Sequence, residues 1–225
     1  MLDKTKTDKE LGIKVNKYLE EKGVQTPIHD EYLRQSDQEK ISRIEISFRH
    51  IMTDLGLDLS DDSLEKTPHR VAKMFVSEVF WGLDSANFPR VMTFANKMQY
   101  SQMIIEKNIS VKSACEHHFQ PFVGTANVSY LPNEKVIGLS KLNRIVEYFS
   151  RRPQVQERLT EQIYHALSYV LGTKNIAVVI NASHMCVSLR GVEDNNSKTS
   201  TSRMGGIFME DEGGAKQEFF ESLKL

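Results

Sequence analysis

Little in this sequence points toward a secreted, membrane-bound or nucleic-acid-coating protein. It carries only 2 cysteines, 6 prolines and 1 tryptophan in 225 residues, and its formal net charge is −1. Two cysteines far apart in the chain, Cys115 and Cys186, exclude the disulfide framework of a small secreted domain. The near-zero charge excludes an overall basic field that would draw the chain to nucleic acid or to an anionic membrane, so any anion it binds must meet a local cluster. No apolar run approaches the length of a bilayer span, and Met1 to Glu10 is polar and charged without the apolar stretch of a leader. A cytoplasmic setting is expected. No G-x-x-x-x-G-K-[ST] loop occurs, which disfavours P-loop nucleotide chemistry. What remains, about 40% apolar and 26% charged residues, is ordinary for a globular domain with or without an extension. In that setting Cys115 and Cys186 read as metal ligands or free thiols.

Residues 1–35 are rich in charge with modest helical periodicity at Leu11, Val15 and Leu19, and read as an appended arm. A helical region, 36–98, follows. Ser36 with Glu39 forms a capping box ahead of the stripe Ile41, Ile44, Phe48, Ile51 and Leu55. A second helix starts at Thr67-Pro68 and runs toward Gly82. From about residue 99 the period changes to two around Ile109–Val111 and Ala126–Tyr130, which predicts a strand pair. Two helices come next, one from Ser140 and one through Leu159 to Val170, stopped by Gly172. A strand is expected from Ile176 through Leu189, a weaker one over 198–208, and a closing helix around Phe219, Phe220 and Leu223. The expected class is α+β: N-terminal helices, then a ββααββ unit spanning 99–225, with helices on one face of an antiparallel sheet whose open edges need cover.

Cys115-Glu116-His117-His118 sits where the first strand ends and offers a thiolate and an imidazole in C-x-x-H spacing. Near the end of a later strand stand His184, Met185 and Cys186, and period two sends His184, Cys186 and Arg190 to one face. If both strands share a sheet, Cys115, His118 and Cys186 make a three-ligand soft site with an open fourth position, the mark of catalytic zinc. Spacing alone leaves a buried thiol and satisfied histidines as the equal alternative. A zinc ion lowers the pKa of bound water to about 7, and a neighbouring non-ligand histidine then shuttles protons; His117 and His184 suit that work. Lys141 and Arg144, in the first turns of a helix, and Arg190 are cations fit for a triphosphate, or a solvated surface. Glu157, after Gln156 at a helix start, is either a first-turn charge matched to the dipole or an acceptor for guanine N–H groups.

Cys115-Glu116-His117-His118, Gly138-Leu139-Ser140-Lys141-Leu142-Asn143-Arg144, Arg152-Pro153-Gln154-Val155-Gln156-Glu157-Arg158-Leu159 and His184-Met185-Cys186 together resemble the GTP cyclohydrolase I family in order and spacing. Thr67-Pro68-His69-Arg70 resembles its helical part. The resemblance implies a tunnelling fold closing into a barrel, as rings of five stacked into a decamer with active sites between subunits. It implies zinc on Cys115, His118 and Cys186, and conversion of GTP to 7,8-dihydroneopterin triphosphate with release of formate. It places guanine on Gln156 and Glu157, ribose near Ser140, and the triphosphate on Arg70, Lys141, Arg144 and Arg190, with His184 and His117 moving protons. The family pattern leads one to expect a small Ser or Thr at Arg203. Rival readings fare worse. A non-catalytic pterin- or nucleotide-binding scaffold would lose ligands that are all present here. A zinc deaminase would need a P-C-x-x-C pair. A nitrile reductase of the same fold would lack His117-His118. A structural zinc module would want a fourth ligand, for which only His117 or His184 is at hand.

Overall fold

The computed structural model describes residues 2–224 and has helices first, then a sheet faced by helices. The N-terminal helices are α1 (Lys9–Glu21), α2 (Asp30–Leu33), α3 (Asp37–Asp54) and α4 (Thr67–Met74). Helix α3 starts with the expected capping box: Glu39 N donates to the Ser36 hydroxyl at 3.3 Å and Ser36 N donates to the Glu39 carboxylate at 2.8 Å. Helix α4 does not run on to Gly82. After Met74 it widens into a π turn, Phe75–Val79, closed by Phe80 N donating to Phe75 O. The wider turn brings Phe75 and Phe80 to 5.2 Å, and Phe80 then meets Phe119 edge-on at 5.6 Å, a favourable aromatic geometry.

A short pair of strands, β1 (Thr93–Ala95) and β4 (Lys135–Ile137), sits beside a five-stranded sheet of β2 (Ile104–Cys115), β3 (Pro121–Tyr130), β5 (Pro153–Gln154), β6 (Ile176–His184) and β7 (Thr199–Met204). The order is β5-β2-β3-β6-β7, antiparallel throughout except for β5 beside β2. Helices α5 (Leu139–Ser150) and α6 (Gln156–Leu171) lie between β4 and β6 in the chain, so the expected ββααββ order is present. They cover one face: Leu142, Ile145, Phe149, Leu159 and Ile163 are wholly buried in one cluster with Val111, Phe122, Val128, Val178 and Ile180. Each such side chain contributes ~1.5–3 kcal/mol by leaving water. On the opposite face a smaller cluster joins Ala177, Val179 and Met204 to Phe208 of α8 (Ile207–Glu210) and Phe219 of α9 (Ala215–Ser222). Gly172 ends α6 in the left-handed conformation, φ 66°, as its place after the last apolar position predicts.

Other expectations change too, and the strand expected over 198–208 stops at Met204, with Phe208 in α8. The arm is packed rather than merely appended: Val15 and Leu19 of α1 are 0% and 1% exposed in the main cluster. Its start is pinned by Asp8 N donating to Phe88 O at 2.7 Å and Arg90 N to Lys6 O at 2.8 Å. The strand expected from Ile176 through Leu189 ends at His184, and Met185–Ser188 forms a single helical turn, α7. The reason is the neighbour: β3 begins at Pro121, with Phe122 opposite His184, so the ladder offers no partner beyond it. Arg203 on β7 is accommodated within the chain, lying 4.9 Å over the Tyr164 ring with Nε 3.2 Å from Glu161 Oε2. No helix among the described residues is long and apolar enough to cross a membrane.

Candidate active site

Strand β2 delivers Cys115 to a tight turn. Phe119 N donates to Cys115 O and Cys115 N to Gln120 O, both at 2.8 Å, and Phe119 takes up φ 53°. This turn carries the whole Cys115–His118 run at the mouth of the β2–β3 hairpin. Strand β5 supports it from the other side, with Gln154 opposite Cys115 and Gln154 O accepting from Glu116 N at 3.0 Å. Two strands away, β6 ends at His184 and α7 curls back, so Cys186 arrives by a helical turn and not by strand alternation. The ligand atoms of Cys115, His118 and Cys186 all lie within 4.8 Å of one another. Tetrahedral zinc with two sulfurs and a nitrogen sets such separations at roughly 3.6–3.8 Å, within that limit. The donor chemistry also fits a soft divalent cation. Both cysteines are free, and the Cys186 thiol is pushed up by burial first and then by the facing Cys115 sulfur. A metal ion would relieve both effects.

The histidines around this trio differ in their surroundings. His117 Nδ1 is 3.8 Å from Cys115 Sγ. Arg190 Nη1 lies 2.9 Å from His118 Nε2, which puts Arg190 beside the site; a metal on His118 would take the one acceptor lone pair that this contact uses. His184 stacks on Phe122 at 4.5 Å and 13°, and its Nε2 lies 2.8 Å from Gln156 Oε1. The Gln156 amide nitrogen has Ile180 O, Thr199 O and Thr201 Oγ1 at 3.0, 3.0 and 3.1 Å, three acceptors that share its two hydrogens. Three acceptors around that nitrogen fix the amide with its oxygen toward the imidazole, so His184 Nε2 carries the proton and Nδ1 is bare. Burial lowers the His184 pKa, with the Glu157 carboxylate opposing, so the ring is neutral near pH 7. Glu157 itself is exposed in the first turn of α6.

One ion pair beside the trio has no signal in the sequence. Arg158 reaches across from α6 to grip Glu116 in two hydrogen bonds of 2.6 and 3.1 Å, holding its carboxyl below the usual range. A carboxylate and a guanidinium 42 positions apart cannot be paired from spacing. Ser140, Lys141 and Arg144 lie elsewhere. They occupy the start of α5, which follows Ile137, whose N–H donates to the Tyr130 hydroxyl at the far end of β3. Helix α5, 12 residues and ~18 Å long, then runs back toward the Cys115 end. Lys141 has its pKa lowered by desolvation and then by the positive charges of Arg144, Arg90 and Lys6, a real cationic cluster. Arg70 lies exposed on α4, next to His69, which pairs with Glu45 at 2.8 Å. Within one chain, then, the structure gathers Cys115, His117, His118, Gln156, Glu157, His184, Cys186 and Arg190, and leaves Ser140, Lys141 and Arg144 on the first half of α5, outside that group.

Residues 44–224 match the family model described as GTP cyclohydrolase I. The chain belongs to the GTP cyclohydrolase I family. It is 52% identical over 206 residues to GTP cyclohydrolase 1 of Aeromonas hydrophila, covering 92% of this chain and 93% of that protein. The same enzyme of Serratia proteamaculans is 48% identical over 213 residues, 95% of each chain. That of Flavobacterium johnsoniae is 49% identical over 199 residues, 88% of each. The solved dihydroneopterin aldolase of Burkholderia thailendensis superposes with a TM-score of 0.32 at 15% identity, over 49% of this chain and 97% of that one. In a chain of this family, the Cys115-His118-Cys186 group is a place where a metal can sit.

Proposed function

We propose that this protein opens the imidazole ring of GTP and rebuilds the product as 7,8-dihydroneopterin triphosphate, releasing formate, as a cytoplasmic zinc enzyme. The observation that carries this reading is the convergence of Cys115, His118 and Cys186 within 4.8 Å, beside an oriented, neutral His184, in a chain of this family. Zinc on those three ligands would supply activation of water for attack at the carbon between the two imidazole nitrogens.

The chain's own groups do the rest. His184 holds one proton on Nε2 against Gln156 and presents a bare Nδ1, so it collects a proton there and passes it to the imidazole nitrogen as the ring opens. Its lowered pKa makes the protonated ring a stronger acid at the moment of transfer. His117, beside the Cys115 sulfur, assists. Glu157 accepts from the guanine ring N–H and amino group; Gln156, whose nitrogen is fully engaged, keeps one lone pair on Oε1 to offer. Arg190, with Arg70, Lys141 and Arg144, takes the triphosphate, and Ser140 lies at the ribose.

The separation of the α5 cations from the Cys-His-Cys group supports active sites completed between subunits. Unpaired sheet edges at β5 and β7 support closure of the sheet by neighbouring copies, in rings of five paired as a decamer. The test is incubation of zinc-loaded protein with GTP, following formate and the fluorescence of oxidised neopterin. Both products should appear, and His184→Ala should reduce formate release by at least about a hundredfold. Full-rate formate release by that variant would remove His184 from the proton path.

A further inference from the structure

Glu116 and Arg158 belong to none of the roles assigned above, yet they join the two halves of the site. Glu116 stands between Cys115 and His117 in the turn that delivers Cys115 and His118. Residues 116–119 lie beyond the β2–β3 ladder, whose last pair is Ala114 with Pro121, so the ladder does not hold them. Glu116 is fastened twice instead. Its N–H donates to Gln154 O of β5 at 3.0 Å. Its carboxylate accepts from Arg158, Nη1 to Oε2 at 2.6 Å and Nη2 to Oε1 at 3.1 Å. Two parallel hydrogen bonds from a planar fork fix direction as well as distance, which a point charge does not.

Arg158 stands in the first turn of α6, directly after Gln156 and Glu157. That end of the helix is a firm platform. The Gln156 side chain is anchored on Ile180 O, Thr199 O and Thr201 Oγ1, and Leu159 and Ile163 are wholly buried in the main core. The turn carrying Cys115 and His118 is the less restrained partner, so the guanidinium on the helix sets where the turn sits.

We propose that Arg158 is a positioning residue: through Glu116 it holds the Cys115–His118 turn ready for zinc and keeps that turn in register with the start of α6, where Gln156 and Glu157 meet guanine. This rests on the metal and guanine readings given above. Two separate losses follow from it. A turn released from Arg158 binds zinc more weakly, by about tenfold or more, the range seen when contacts around metal ligands are removed. With zinc restored in excess, the carbon between the imidazole nitrogens sits off line from the open coordination position. The kcat for formate release then falls about tenfold, while KM for GTP stays within about twofold because the groups that grip GTP are untouched.

The experiment is zinc competition between a chromogenic chelator and the full-length protein, for wild type, Arg158→Met, Arg158→Lys, Glu116→Ala and the Glu116→Ala/Arg158→Met double variant. Far-ultraviolet circular dichroism checks that each is folded. Arg158→Met and Glu116→Ala should each weaken zinc about tenfold or more. Arg158→Lys, which keeps the charge and loses the fork, should weaken it less. The double variant should be no weaker than either single one, because both remove the same contact. Single losses that multiply in the double variant would overturn the proposal by showing that each substitution acts through general packing. Equal zinc affinity in wild type and Arg158→Met would also overturn it, as would a raised KM with kcat unchanged at excess zinc. Wild-type protein that takes up no zinc would overturn the metal reading itself, and this inference with it.

Discussion

Arg158→Met isolates the contact that ties α6 to the Cys115 turn. The pair is partly buried, with side chains 20% and 25% exposed, and doubly hydrogen-bonded at 2.6 and 3.1 Å. Unit charges 4 Å apart attract by about 4 kcal/mol at an effective dielectric of about 20, and the desolvation of both groups offsets a large part of it. A net loss of about 1–3 kcal/mol at pH 7 is expected. The pH dependence follows from Glu116. Its folded pKa lies below the ordinary 4.5, chiefly through the Arg158 hydrogen bond. The stability it contributes is therefore full above 4.5 and is lost as pH falls through the lowered folded value. Urea unfolding of both proteins across this range should show a constant gap at neutral pH that closes on acidification. A gap that stays the same at all pH values would show that the substitution acts through packing and that the ion pair contributes nothing.

Leu19→Ala should cost about 2–4 kcal/mol in urea unfolding, because Leu19 is 1% exposed in the main core; a cost near zero would return residues 1–35 to the status of a loose arm. Cys186→Ser should lose bound zinc, read by metal analysis after dialysis against a mild chelator, while keeping its far-ultraviolet circular dichroism. His165 is pushed down to about 4 by burial first and then by Arg203 and Lys22, even though Glu161 stands 3.4 Å away. Its contribution is present above the ordinary 6.5 and lost as pH falls toward about 4, so His165→Gln should flatten the stability profile across that window.

The parts of the fold legible in the sequence are those set by local chemistry. Ser36 and Glu39 announce a helix start, Gly172 a helix end, and alternation at Ile109–Val111 and Ala126–Tyr130 a strand pair, because each depends on residues a turn or a pleat apart. The end of β6 was not legible, since it depends on where β3 begins at Pro121, a partner more than fifty residues earlier in the chain. For the same reason Cys186 reaches the site by a helical turn where alternation predicts a strand. The arm's burial is illegible because Leu11, Val15 and Leu19 form a stripe that says nothing of the surface it meets. In the site, residue types chosen for chemistry (Cys115, His118, Cys186, His184) converge as their motifs imply. The orienting contacts, Gln156 on His184 and Arg158 on Glu116, depend on three-dimensional proximity alone.

On the proposed function, ring opening of GTP depends on a metal that Cys115, His118 and Cys186 would hold. Formate released per GTP consumed, measured on the zinc-loaded protein, after stripping with a chelator and after returning zinc, tests it most directly. One formate per GTP, lost on stripping and restored by zinc, is the predicted result. Undiminished formate release by the stripped protein, or none from the loaded one, would contradict it.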